Sequence, residues 1–173
     1  MKLIMAVGTP ESGVETLMDI VLTRIRTNFY NLKISEVVKT KNIDIIEPYS
    51  AVKKITDRLT ERVEEEMLGV IRKREKDLIL SGAISVRTLY GYIPILNKKV
   101  FEMFKPEMIM FFSTERDQIE GNVEEVMQHQ AVDKAYAISL SLVANSFIRF
   151  IEVNKNKINQ TVDEVVEVLR EML

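Results

Sequence analysis

The chain is 173 residues long, 46% hydrophobic and 29% charged, with a formal net charge of −2; that size suits one domain with a single well-buried core. The charge balance gives no basis for a broad nucleic-acid or anionic-membrane surface. The absence of Cys excludes disulfides, thiolate metal sites and a cysteine nucleophile, and with no signal-peptide or membrane-length apolar run the sequence points to the cytoplasm.

In chain order, "KLIMAV" at 2–7 is an apolar run stopped by Gly8 and reads as a buried strand. Val14, Leu17, Met18, Val21, Leu22 and Ile25 then recur at helical spacing. "NLKISEVVK" at 31–39 reads as a second strand. After Pro48 a long amphipathic helix runs to about Lys76, with Val52, Ile55, Leu59, Val63, Met67 and Ile71 inward and a solvated charged face outward. "DLILSG" at 77–82 is a strand, followed by an irregular segment through Leu96. "NKKVFEMFK" forms a short helix before Pro106, and "EMIMFFST" the most apolar strand. A helix rich in Ala and Ser spans about Val123 to Ala144, "SFIRFIEV" is the last strand, and "TVDEVVEVLREM" the last helix, with Thr161 and Glu164 spaced as a capping box.

Five apolar strands alternating with helices predict a three-layer α/β/α fold around a five-stranded parallel sheet. Ligands in such folds sit at the carboxyl ends of the strands. That edge gathers Gly8–Gly13, Ser81–Leu96, Ser113–Asn122 and Asn154–Gln160.

The stretch "VGTPESGVETL" has the glycine skeleton of a phosphate loop, with Gly8 and Gly13 separated by four residues between a strand and a helix. Such a loop aims backbone amides and a helix N-terminus at an anion, adding a Lys for the β/γ-phosphates and a Ser or Thr for Mg²⁺. Here those two positions hold Val14 and Glu15, and Glu11 adds a second acid. A carboxylate about 4 Å from a phosphate charge costs about 1 kcal/mol in bulk water and about 4 kcal/mol at an effective dielectric near 20. Two readings follow. Ser12-Gly13-Val14-Glu15 is spaced as a capping box that would seal the amides a phosphate would otherwise use; or the loop, from Gly8, Thr9, Pro10 and Glu11 to Thr16, still holds an anion, or a metal through Glu15.

At this point the sequence resembles archaeal-type adenylate kinases, within the P-loop nucleoside monophosphate kinases. The resemblance rests on "KLIMAVGTPESG", "KPEMIMFF", "SFIRFIEVNKNKINQTVDEVVEVLREM" and, most specifically, Arg87-Thr88-x-x-Gly91-Tyr92-x-Pro94-x-Leu96. It implies a P-loop NTPase fold in one domain over 1–173, a trimer, and a nucleoside monophosphate or other small anion bound near Arg87, Thr88, Gly91 and Tyr92. Against the family's pattern, the acidic position after the third strand is Ser81 and the lid near 114–124 is short, with Arg116 its only arginine. Phosphoryl transfer is positioning and charge neutralisation by Lys, Arg and Mg²⁺. The expectation is therefore a degenerate, non-catalytic relative that binds a ligand or a protein partner, with no cofactor and no metal. The alternative is an atypical nucleotide or small-molecule kinase that uses Mg-ATP, with Lys155 or Lys157 as cation.

Outside the loops, Arg87 reads either as an anion contact or as half of a carboxylate pair, and Tyr90 and Tyr92 either stack on a base or pack the loop. His129, the only His, reads as a surface or packed residue with no orienting carboxylate nearby. The nine Met read as core filling.

Overall fold

In the computed structural model, which describes residues 2–39, 44–73 and 76–172, the five apolar runs form one parallel sheet. Its strands are β1 (Leu3–Gly8), β2 (Phe29–Lys33), β4 (Asp77–Gly82), β7 (Met108–Thr114) and β8 (Phe147–Val153), in the order β2-β4-β1-β7-β8. Every residue of β1 is buried, because β4 and β7 flank it and helices cover both of its faces. This is why the strand is apolar throughout instead of alternating. A smaller sheet joins β3 (Asp44–Ile45), β5 (Ser85–Thr88) and β6 (Gly91–Pro94).

On one face α1 (Val14–Ile25) and α6 (Ile158–Met172) pack on Ile4, Ala6, Met110 and Phe112. On the other, α3 (Tyr49–Lys73), α4 (Lys98–Phe104) and α5 (Val123–Ala144) enclose Met5, Val7, Leu80 and Phe111. Val52, Leu59, Val63 and Met67 of α3 are buried as the spacing predicts, and Lys53, Lys54, Asp57, Arg58, Glu61 and Arg62 are exposed.

Three expectations change. The run 31–39 is not one strand: β2 ends at Lys33 and α2 (Ile34–Val38) follows, because the Glu15 carboxylate accepts from the Ser35 amide and turns the chain there. The segment after β4 is not irregular but the antiparallel hairpin β5–β6. Thr161 does not cap α6, which begins at Ile158; Thr161 is buried, its Oγ1 accepts from the Asn154 amide at 3.4 Å, and Glu164 pairs with Arg149 instead.

Candidate functional site

The loop after β1 is one turn of 3₁₀ helix, Pro10–Ser12, closed by Gly13 at φ 64°, ψ 24°. That left-handed conformation explains the glycine. The capping box does not form: the N-cap of α1 is Gly13, which offers no side-chain cap, and the Ser12 hydroxyl donates to the Thr9 carbonyl at 2.6 Å. Starting the helix one residue later rotates Glu15 away from the loop. Its Oε1 accepts from the Ser35 amide at 2.9 Å and its Oε2 from the Ser35 hydroxyl. Gly82 makes room for this: a Cβ there would lie 2.5 Å from Glu15 Oε1, and its φ of +135° already disfavours a side chain.

Val14, at the cation position of the motif, is buried in the α1–α6 core, while Thr16 is exposed. A cleft of about 100 Å³ remains between Gly8, Thr9, Gly13, Glu15, Ser35 and Gly82. Its wall therefore carries a carboxylate where a triphosphate cradle carries a hydroxyl. Ser81 is fully buried, and its hydroxyl donates to Asn31 Oδ1 at 2.7 Å. Asn31 in turn donates to Asp19, which also pairs with Lys33 at 2.7 Å. The hydrogen bond to Asp19 raises the Lys33 pKa above its ordinary value.

The hairpin brings Arg87, Thr88, Gly91 and Tyr92 together: Arg87 lies opposite Tyr92 and Thr88 opposite Gly91. Arg87 pairs with Glu125 on the first turn of α5. The Thr88 hydroxyl donates to the Gly91 carbonyl at 2.9 Å and accepts from the Tyr90 amide at 3.0 Å, so it holds the turn. Tyr90 is exposed and meets Tyr49 edge-on at 5.4 Å. In the short lid Arg116 pairs with Glu124. Both arginines thus face glutamates at the start of α5. Gln118 accepts from the Lys155 amide at 2.6 Å, so the lid meets the turn after β8, where Lys155 and Lys157 are exposed.

The residues that sequence reasoning missed lie on α5. His129 does have an orienting carboxylate, Asp133, one turn along at 3.5 Å. Ser85 of β5 joins them: its Oγ is 3.0 Å from His129 Nε2, and its hydroxyl donates to Asp133 Oδ1. Tyr92 stacks on the His129 ring at 4.7 Å. Asp133 is fully buried. Burial pushes its pKa from the ordinary 3.8 up to about 7; the Ser85 hydrogen bond opposes the rise and the Glu11 charge adds to it. Thr9 Oγ1, Glu11 Oε2, Thr114 Oγ1 and Asp133 Oδ2 are buried without a hydrogen-bond partner. Gln130 fastens α5 to the end of β7, accepting from the Thr114 amide at 2.6 Å and donating to its carbonyl at 3.1 Å. The signal was present in α5: its inward positions run Val126, Gln130, Asp133, Ala137, Leu140 and Ser141, and Gln130 and Asp133 interrupt the stripe between Val126 and Ala137.

No family model matches the chain. It is similar in sequence to the adenylate kinase of Thermococcus onnurineus (24% identity over 96% of this chain and 94% of the relative) and to that of Thermococcus kodakarensis (25%, over 94% and 92%). The adenylate kinase of Methanothermobacter thermautotrophicus is 19% identical over 98% and 100%. Among solved structures, shikimate kinase from Acinetobacter baumannii in complex with shikimate superposes with a TM-score of 0.58 at 10% identity, over 99% of this chain and 94% of that one. The chain has a P-loop kinase-like fold. Its sheet and flanking helices are the three-layer α/β/α kinase fold. Among the described residues no helix is long and apolar enough to cross a membrane, and no group of three or more acidic or imidazole side chains is placed to hold a metal ion.

Proposed function

We propose that this kinase-like protein binds a small phosphate-bearing anion at the β5–β6 hairpin and does not transfer phosphoryl groups. The observation that carries the reading is the Glu15 clasp. The residue at the Mg²⁺-hydroxyl position is an acid with both oxygens engaged by Ser35, and the residue before it, Val14, is apolar and buried. Neither position offers the cation or the metal-holding hydroxyl that a triphosphate needs. The buried Ser81 gives no metal-binding acid at the end of β4.

The hairpin keeps Arg87 at the carboxyl edge, 38% exposed and held by Glu125, so an incoming phosphate competes with that carboxylate for the guanidinium. The ligand class that the adenylate kinase resemblance suggests is a nucleoside monophosphate. A protein partner and a trimeric assembly belong to the same proposal.

Calorimetric titration with AMP and with Mg-ATP, followed by a turnover assay, tests it. The reading expects heat with AMP and none with Mg-ATP at millimolar concentration. Binding of neither sinks the anion site and favours a purely structural subunit. Mg-ATP binding with turnover favours an atypical kinase.

A further inference from the structure

The hairpin β5–β6 belongs to the small sheet, not the five-stranded one. Among the described residues, several of its polar ties run to α5, beside one from the Tyr49 amide of α3 to the Tyr90 hydroxyl. Ser85 meets Asp133 and His129, Arg87 meets Glu125, the Tyr92 ring lies on His129, and the Tyr136 hydroxyl donates to the Tyr92 carbonyl at 3.2 Å. The innermost tie differs from the rest because it is titratable and buried. Ser85 and Asp133 are 1% and 0% exposed, and His129 is the member nearest solvent.

We propose that Ser85, His129 and Asp133 form a proton-binding clasp that seats the hairpin on α5: the seated hairpin holds a proton in the cluster, and lifting the hairpin releases it. The hydrogen-bond chain accommodates the proton in either of two arrangements. With Asp133 ionised, the Ser85 hydroxyl donates to it and His129 Nε2–H donates to Ser85 Oγ; with Asp133 protonated, both bonds reverse. What distinguishes the two forms is charge. Asp133 faces Glu11 from the phosphate-loop turn, His129 and Tyr136 from its own helix, and the uncharged Ser85 from β5. Its neighbour Lys134 turns away to lie 4.6 Å over the Phe150 ring. An ionised Asp133 is therefore a buried anion beside a second carboxylate, and the raised pKa agrees. Lifting Ser85 uncovers that carboxyl to water, which returns it to ordinary acidity.

The direction follows from linkage. The seated form binds the proton more tightly, so the clasp is tightest in acid and weakens as pH rises toward about 7. The cluster thereby ties the hairpin, the turn carrying Glu11 and α5 to one protonation event. This inference concerns the ligand-free chain and holds whatever the hairpin binds.

The test is amide hydrogen exchange of the whole ligand-free protein at pH 5 and pH 7. Protection of residues 85–94, corrected for intrinsic rates, is divided by that of β1 and β7. In the wild type this ratio should fall by about tenfold or more from pH 5 to pH 7. Asp133→Asn keeps a carbonyl to accept from Ser85 and should make the ratio independent of pH. Glu11→Gln, a milder variant outside the cluster, removes a charge that raises the Asp133 pKa, so the seated proton leaves at lower pH and the fall from pH 5 to pH 7 should be smaller by about twofold or more. An unchanged wild-type ratio, or the wild-type fall persisting in Asp133→Asn, overturns the clasp.

Discussion

Replacing Asp133 with Asn removes a buried charge while keeping the side chain's shape, and the consequence for stability is a function of pH. The carboxyl ionises near 3.8 when exposed and at about 7 in the folded chain. An acid raised in this way contributes stability that is fully present below its unfolded pKa and is lost as pH rises through the folded one. At about 1.4 kcal/mol per pH unit, the wild type carries up to about 4 kcal/mol of penalty at pH 8, of which about 3 kcal/mol develops between pH 5 and pH 8. The amide carries no such charge, and its oxygen accepts from Ser85 as the carboxylate does. The loss of the carboxyl costs a constant amount, about 1 kcal/mol, at every pH. Urea unfolding of both proteins at the two pH values isolates the difference: Asp133→Asn should gain about 3 kcal/mol relative to wild type on moving from pH 5 to pH 8, or about 8 °C in Tm. An equal stability difference at both pH values would refute the argument that Asp133 is buried beside Glu11 with its charge uncompensated.

Glu15→Ala removes the acceptor for the Ser35 amide and hydroxyl and should cost about 1–2 kcal/mol of unfolding free energy in urea titrations. Gly82→Ala places a Cβ against Glu15 and Ile34 at a positive φ and should cost at least about 2 kcal/mol by the same measurement. If AMP binds at the hairpin, Arg87→Met should abolish the calorimetric signal. Glu125→Gln, which releases Arg87 from its carboxylate, should tighten AMP by about 1 kcal/mol, roughly fivefold in Kd.

The sheet was legible because a strand buried on both faces has to be apolar, and β1, β4 and β7 announce themselves as such. Helix α3 was legible for the opposite reason, since one face meets water and its charges recur with the helical period. What periodicity does not carry is long-range polar pairing. Ser12 and Glu15 have capping-box spacing, yet Gly13 takes the left-handed conformation and starts the helix after it, which sends Glu15 to a serine 20 residues away. The same limit hid the end of β2, since Ile34–Val38 is apolar enough for a strand and turns helical where Glu15 holds the Ser35 amide. The hairpin was missed because Thr88 closes its turn through its own side chain without the Asn-Gly or Gly-Gly pair that usually marks one. His129 and Asp133 were legible in principle: four residues apart on a helix they share a face. Ser85, 44 residues before His129 in the chain, was not.

The most direct test of a phosphate loop without its cation and metal-holding hydroxyl is Mg-ATP affinity by calorimetry, measured on the wild type beside a Val14→Lys, Glu15→Thr double variant. The account expects no saturable heat from the wild type at millimolar nucleotide and measurable affinity in the variant, whose new lysine and hydroxyl restore the missing charge and metal contact. Micromolar Mg-ATP binding by the wild type would contradict it.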